Sequence, residues 1–95
     1  MTEKPVEVID IKDDTSSIIG HPYNVIIFND EAHAMDEVVY QIIKATHCGR
    51  GRAVAIMAEA HKTGRSIVYT GGLERCEHVE AVLAEIKLGT KIEPA

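Results

Sequence analysis

The stretch Val25-Ile26-Ile27-Phe28-Asn29-Asp30-Glu31, followed by Met35, Val38, Val39, Ile42 and Ile43, decides the fold. Four consecutive apolar residues, opened by Pro22, make the short continuous run of a buried strand. From Met35 the spacing changes to i, i+3, i+4, i+7 and i+8, which draws one apolar stripe along a helix predicted to end near Thr46. Asp36 and Glu37 fall in its first turn, where negative charge complements the helix dipole. Between strand and helix stands a polar cluster of one carboxamide and two carboxylates, Asn29, Asp30 and Glu31.

Outward from this core the same logic sets the remaining elements. A second helix is predicted from about Arg52 to Thr63, with Ala53, Ile56, Met57, Ala60 and His61 on one stripe or its edge and Gly64 at the C-terminal cap position. Gly49 and Gly51 punctuate the connection before it. Ser66 to Thr70 has the β-branched and aromatic content of a strand, broken by Gly71-Gly72. A third helix is predicted from about Leu73 to Leu88, carrying Cys76, Val79, Val82, Leu83 and Ile86 on one face, and Thr90 to Glu93 makes a last short strand. The order β-α-α-β-α-β describes an α+β fold: a small three-stranded sheet packed against three helices. Residues 1–20, rich in charge and in Thr/Ser, carry no sustained period and are expected to be a flexible tail; residues 21–95 form the domain.

Composition narrows the function. Ninety-five residues make one small domain with a single core. A formal net charge of -5, with Lys and Arg scattered rather than striped, argues against nucleic acid and for a cationic or neutral partner. The chain shows no secretory leader and no apolar run near the roughly 20 residues of a membrane span, so a cytoplasmic location with reduced thiols is expected. Cys48 and Cys76 lack zinc-type spacing, and no metal or other cofactor is expected. Cys76 reads as a small buried hydrophobe and Cys48 as a connector residue.

Tyr23 to Glu31, then Met35 and Val38-Val39, then Ala53, Met57, His61 and Gly64, together resemble the ClpS family, adaptors that deliver N-degron substrates to Clp AAA+ unfoldases. The resemblance covers residues 21–95, and the chain's end, Glu77-His78, Gly89 and Ile92 to Ala95, looks more like the cyanobacterial and plastid branch. It implies a non-catalytic protein of the ClpS and ribosomal stalk C-terminal-domain type of fold. Asn29, Asp30 and His61 would hold a substrate's free α-amino group, while Met35, Val38, Met57 and Ala60 would line a pocket for its first side chain. An ammonium offers three donors and no acceptor, so a carboxamide oxygen, a carboxylate and a neutral imidazole nitrogen satisfy it. The implied partners are N-degron proteins starting with Leu, Phe, Tyr or Trp and the N-terminal domain of a ClpA- or ClpC-type unfoldase, with Glu74 and Glu77 as contacts for the latter.

The chain departs from the family pattern beside the pocket. Glu31 stands where a second Asp is usual, and Ala32-His33-Ala34 replaces an aromatic or apolar residue followed by Thr-Pro. Glu31 and His33 are therefore expected at the rim, where His33 could narrow the entrance or add a titrating group, and Ala60 replaces a larger branched residue.

Each residue alone has a plainer reading. Asn29-Asp30 could be turn chemistry, His61 a satisfied histidine at the core edge, the two methionines ordinary core, and the acidic group Glu74, Glu77 and Glu80 a solvated helix face. It is the joint spacing that favours binding. Two other classes stay open: a metal-assisted hydrolase built on Glu31, His33 and His61, which lacks a HExxH motif, and a ClpS-fold relative that binds a protein partner without reading N-termini.

Overall fold

A computed structural model describes residues 20–95; all but the last residue of the expected tail lie outside the described residues. The elements are β1 (Tyr23–Phe28), α1 (Met35–Thr46), α2 (Arg50–Thr63), β2 (Arg65–Gly71), α3 (Leu73–Ala84) and β3 (Thr90–Pro94). The expected order is the observed one. β1 is the central strand, antiparallel to β2 on one side and to β3 on the other. A bulge interrupts the β1–β2 register: Val25 faces Tyr69, but Ile26 faces Ile67, so Val68 is an extra residue on β2.

The strands alternate, and Val25 and Ile27 of β1 and Val68 of β2 reach the core. The helices close over them with Val39, Ile42, Ala53, Ile56, Val79 and Leu83, all buried. Cys76 is fully buried against Tyr23 and Gly71, whose carbonyls its thiol approaches at 3.4 and 3.6 Å; burial pushes that thiol up from its ordinary range. Cys48 is half-buried against the core edge. Buried Gln41 ties α1 to the end of α3 by donating to the Val82 carbonyl at 2.6 Å and to Glu85 Oε1 at 3.0 Å. The same Glu85 oxygen accepts from Lys44 at 2.8 Å, and their mutual bond raises the Lys44 pKa and lowers that of Glu85.

Some element ends differ from the sequence reading. α2 starts at Arg50, so Gly51 lies inside its first turn rather than in the connection, and β1 and β2 extend beyond the apolar runs that marked them. The larger difference is α3, which stops at Ala84 instead of Leu88. Lys87 takes a left-handed conformation (φ 61°), and Leu88 N–H reaches back to the Leu83 carbonyl at 3.4 Å. Ile86, on the expected stripe, and Leu88, its expected end, still pack on the core but from beyond the helix.

Gly64 caps α2 at φ 98°, with its N–H on the Ala60 carbonyl at 2.8 Å. A side chain at that φ crowds its own carbonyl, which costs about 1–2 kcal/mol. Gly64→Ala is expected to lower the unfolding free energy by that amount and so shift the urea midpoint down, read by circular dichroism, with Gly64→Asn losing less. An unchanged midpoint for the alanine variant would show that the cap relaxes freely.

Candidate functional site

The end of β1 and the loop that leads from it to α1 are pinned by three long-range hydrogen bonds. Phe28 N–H donates to the Gly89 carbonyl at 3.2 Å, just before β3, and Asn29 N–H donates to the Gly64 carbonyl at 2.9 Å. Because Gly64 caps α2, the second bond sets Asn29 beside the helix turn that carries His61. The third bond runs from His33 Nε2 to the Ile86 carbonyl, in the turn after α3, at 2.5 Å. The loop thereby touches the connections that precede both edge strands.

These contacts frame a cleft lined by Ile27, Phe28, Asn29, Asp30, His33, Met35, Val38, Met57, Ala60, His61 and Leu88, with about 350 Å³ of empty space counting its open mouth. Val38, Met57 and Ala60 are buried and form the wall, Ile27 and Leu88 extend it, and Met35, 55% exposed, forms a lip. An exposed thioether at a cleft mouth is free to change rotamer to fit a guest. Asn29 and His61 are exposed and Asp30 is half-buried, so the polar groups of the lining are open to solvent while its apolar wall is buried.

Asp30 is already engaged. Its Oδ1 accepts from Ala32 N–H at 2.6 Å and its Oδ2 is 2.7 Å from His33 Nδ1. The Ala32 bond, with a further contribution from His33, holds its carboxyl below the usual range, against a smaller opposing effect of burial. His33 is raised above the ordinary histidine range, chiefly by the bond from Asp30, with the Ile86 carbonyl and the charges of Asp30 and Glu37 adding to it against partial burial.

The sequence-predicted residues Asn29, Asp30, His61, Met35, Val38, Met57, Ala60 and His33 are brought together here. Glu31 is exposed and outside the lining. Glu74 and Glu77 lie elsewhere, on a shallow groove with Gly20, His21, Tyr23 and Leu73. Ile27, Phe28 and Leu88 were absent from the sequence-derived site: the first two read as strand and Leu88 as helix, and the bond of Phe28 to Gly89 that gathers them leaves no local signal. Among the described residues no three His, Cys, Asp or Glu side chains converge as a metal site, and no helix is long and apolar enough to cross a membrane. Both ring nitrogens of His33 face Asp30 and Ile86 rather than an open coordination position.

The fold is that of a known class. The solved structure of Agrobacterium tumefaciens ClpS2 bound to L-phenylalaninamide superposes with a TM-score of 0.74 at 17% identity, covering 79% of this chain and 98% of that one. Residues 20–88 match the family model described as ATP-dependent Clp protease adaptor protein ClpS, and the chain belongs to that family. Similarity extends to human E3 ubiquitin-protein ligase UBR2, 31% identical over 61 residues, and to Drosophila melanogaster UBR1, 30% identical over 61 residues. Those stretches cover 64% of this chain but only 4% and 3% of the two ligases.

Proposed function

We propose that this Clp protease adaptor captures the free N-terminus of proteins whose first residue is bulky and apolar, such as Leu, Phe, Tyr or Trp. Asn29, His61 and the unfilled lone pairs of Asp30 receive the ammonium, and the cleft of Met35, Val38, Met57 and Ala60 receives the side chain. The observation that carries this reading is the meeting of those three polar groups with Met35, Val38, Met57 and Ala60 in the lining of one cleft. The solved ClpS2 holding L-phenylalaninamide, an aromatic residue in amide form, supports it. No step of catalysis is required: the site supplies acceptors and a wall. Delivery goes to the N-terminal domain of a ClpA- or ClpC-type unfoldase in the cytoplasm, with Glu74 and Glu77 on a separate face free to meet that partner while cargo is bound.

Burying a Leu or Phe side chain contributes about 1.5–3 kcal/mol, and each charge-assisted hydrogen bond about 1.5–3 kcal/mol before ordering costs. One apolar anchor with two or three ammonium contacts sums to about 4.5–12 kcal/mol, a range that spans the roughly 8 kcal/mol of a micromolar complex, and no single contact does. Fluorescence anisotropy with peptides starting in Leu, Phe, Tyr, Trp or Met, each free or acetylated, tests this directly. Binding is expected only for free, bulky apolar N-termini; equal binding of free and acetylated peptides would instead make the chain a ClpS-fold relative with another kind of partner.

A further inference from the structure

Of the three loop pins, the His33 bridge alone is made by a side chain, and that side chain replaces the small hydroxyl residue usual in the family. Asp30 Oδ2 lies 2.7 Å from Nδ1, and the Ile86 carbonyl, 53 residues further along the chain, lies 2.5 Å from Nε2. A backbone carbonyl accepts and cannot donate, and an ionised carboxylate likewise only accepts. A neutral imidazole has one N–H and satisfies one of these partners; imidazolium has two and satisfies both.

Resting on the N-terminus-binding reading, we propose that His33 is a positioning residue for that site: as imidazolium it latches the β1–α1 loop to the turn after α3 and fixes the Asp30 carboxylate for the incoming ammonium. An ionised carboxylate has about four lone-pair sites. Ala32 N–H and His33 take one on each oxygen, which sets the orientation of the carboxylate while leaving acceptor capacity for the guest. Holding an acceptor still before the ligand arrives lowers the ordering cost of binding. The latch also adds a positive charge beside Asp30, so the gain from order must exceed the repulsion between imidazolium and ammonium. His33 and Asp30 keep 17% and 20% of their side-chain surface exposed, so solvent screens part of that repulsion.

The sign of the pH dependence follows from the two shifts. His33 is raised, so its bonding is complete below the ordinary histidine pKa and is lost as pH rises through the higher folded value; Asp30 is lowered, so its part is present above the ordinary carboxylate pKa and is lost as pH falls through the lower folded value. The charged groups around the ring are Asp30 on its own loop and Glu37 on α1; Lys87 follows the accepting carbonyl in the turn after α3, and His61 of α2 lines the same cleft.

The test compares wild type with His33→Gln, binding the same unblocked Phe- or Leu-initiated peptide from pH 6 to pH 9. Titration of the peptide amine enters both affinities and divides out of their ratio. The variant is expected to bind about tenfold more weakly at pH 6, with the ratio closing toward one as wild-type His33 loses its proton. A ratio of one at every pH, or a variant that binds more tightly at pH 6, would overturn the latch while leaving N-terminal capture intact. Failure of wild type to prefer free over acetylated peptide would overturn the capture reading and this inference with it. A second measurement needs no peptide: the His33 ring, followed by nitrogen NMR, is expected to keep both protons to higher pH in wild type than in Asp30→Asn. Equal midpoints would mean that the bridge does not hold the proton.

Discussion

Asp30→Ala is expected to weaken binding of an unblocked peptide by about ten- to a hundredfold, with little change in the urea midpoint of the domain. Two losses combine. The guest ammonium loses its carboxylate, and the loop loses the acceptor that orders Ala32 N–H and His33. Nothing close by replaces it, since Glu31 is exposed and outside the cleft lining. The fold survives because the loop hangs from backbone bonds that the substitution leaves alone, Phe28 to Gly89 and Asn29 to Gly64. Asp30→Asn separates the two losses: its amide oxygen can still accept from Ala32, but the charge is gone. If the charge dominates, Asn and Ala should bind equally poorly; if order dominates, Asn should recover much of the affinity. Unchanged affinity in both variants, measured by anisotropy against an acetylated control, would remove Asp30 from the site.

The parts of this molecule that were legible in the sequence are those where local pattern and burial coincide. The stripe of Val38, Val39 and Ile42 is the buried face of α1, and Ala53, Ile56, Met57 and Ala60 are the buried face of α2. Gly64 marked the end of α2 because the left-handed cap leaves a compositional trace. The end of α3 left none. Ile86 has the helical spacing of the stripe and Leu88 is apolar, and the stop at Ala84 is followed by Lys87 in a left-handed conformation, which Lys seldom adopts. His61 is the converse case: it sits on the edge of the apolar stripe by spacing, yet it is exposed, because the stripe opens there into the cleft.

The site shows the same division. Asn29, Asp30, His61 and the two methionines could be named from their joint spacing, because each belongs to an element whose face the pattern fixes. The link of His33 to Ile86 could not, since it joins a loop residue to a backbone carbonyl that carries no side-chain signature. A departure from the family pattern at His33 was visible in the sequence; its consequence needed the turn after α3 to be in place. Three bonds from two separate connections converge on the end of β1 and the loop after it, and this explains how a loop at the domain surface can hold a binding geometry without a helix or strand of its own.

Ile27→Ala should produce the largest loss of stability among these substitutions and should change the cleft as well. Ile27 is 1% exposed near the end of the central strand, opposite Ser66 on one side and Thr90 on the other, and its side chain belongs both to the core and to the cleft lining. Truncation removes three carbons from a place where the backbone is held by both neighbouring strands, so the surroundings have little freedom to collapse. Ile→Ala at such positions costs about 2–5 kcal/mol, and in a domain of this size each kcal/mol lowers the melting temperature by roughly 4–8 °C. A fall on the order of 10–20 °C is expected by calorimetry, with Ile27→Val showing a graded loss of about 0.5–1.5 kcal/mol. Space opened beneath Met57 and Val38 should then shift the ranking of guests toward the largest, so that a Trp-initiated peptide gains on a Leu-initiated one when both are measured well below the lowered melting point. A variant that melts as expected but keeps the wild-type ranking would show that Ile27 supports the sheet without setting the depth of the cleft.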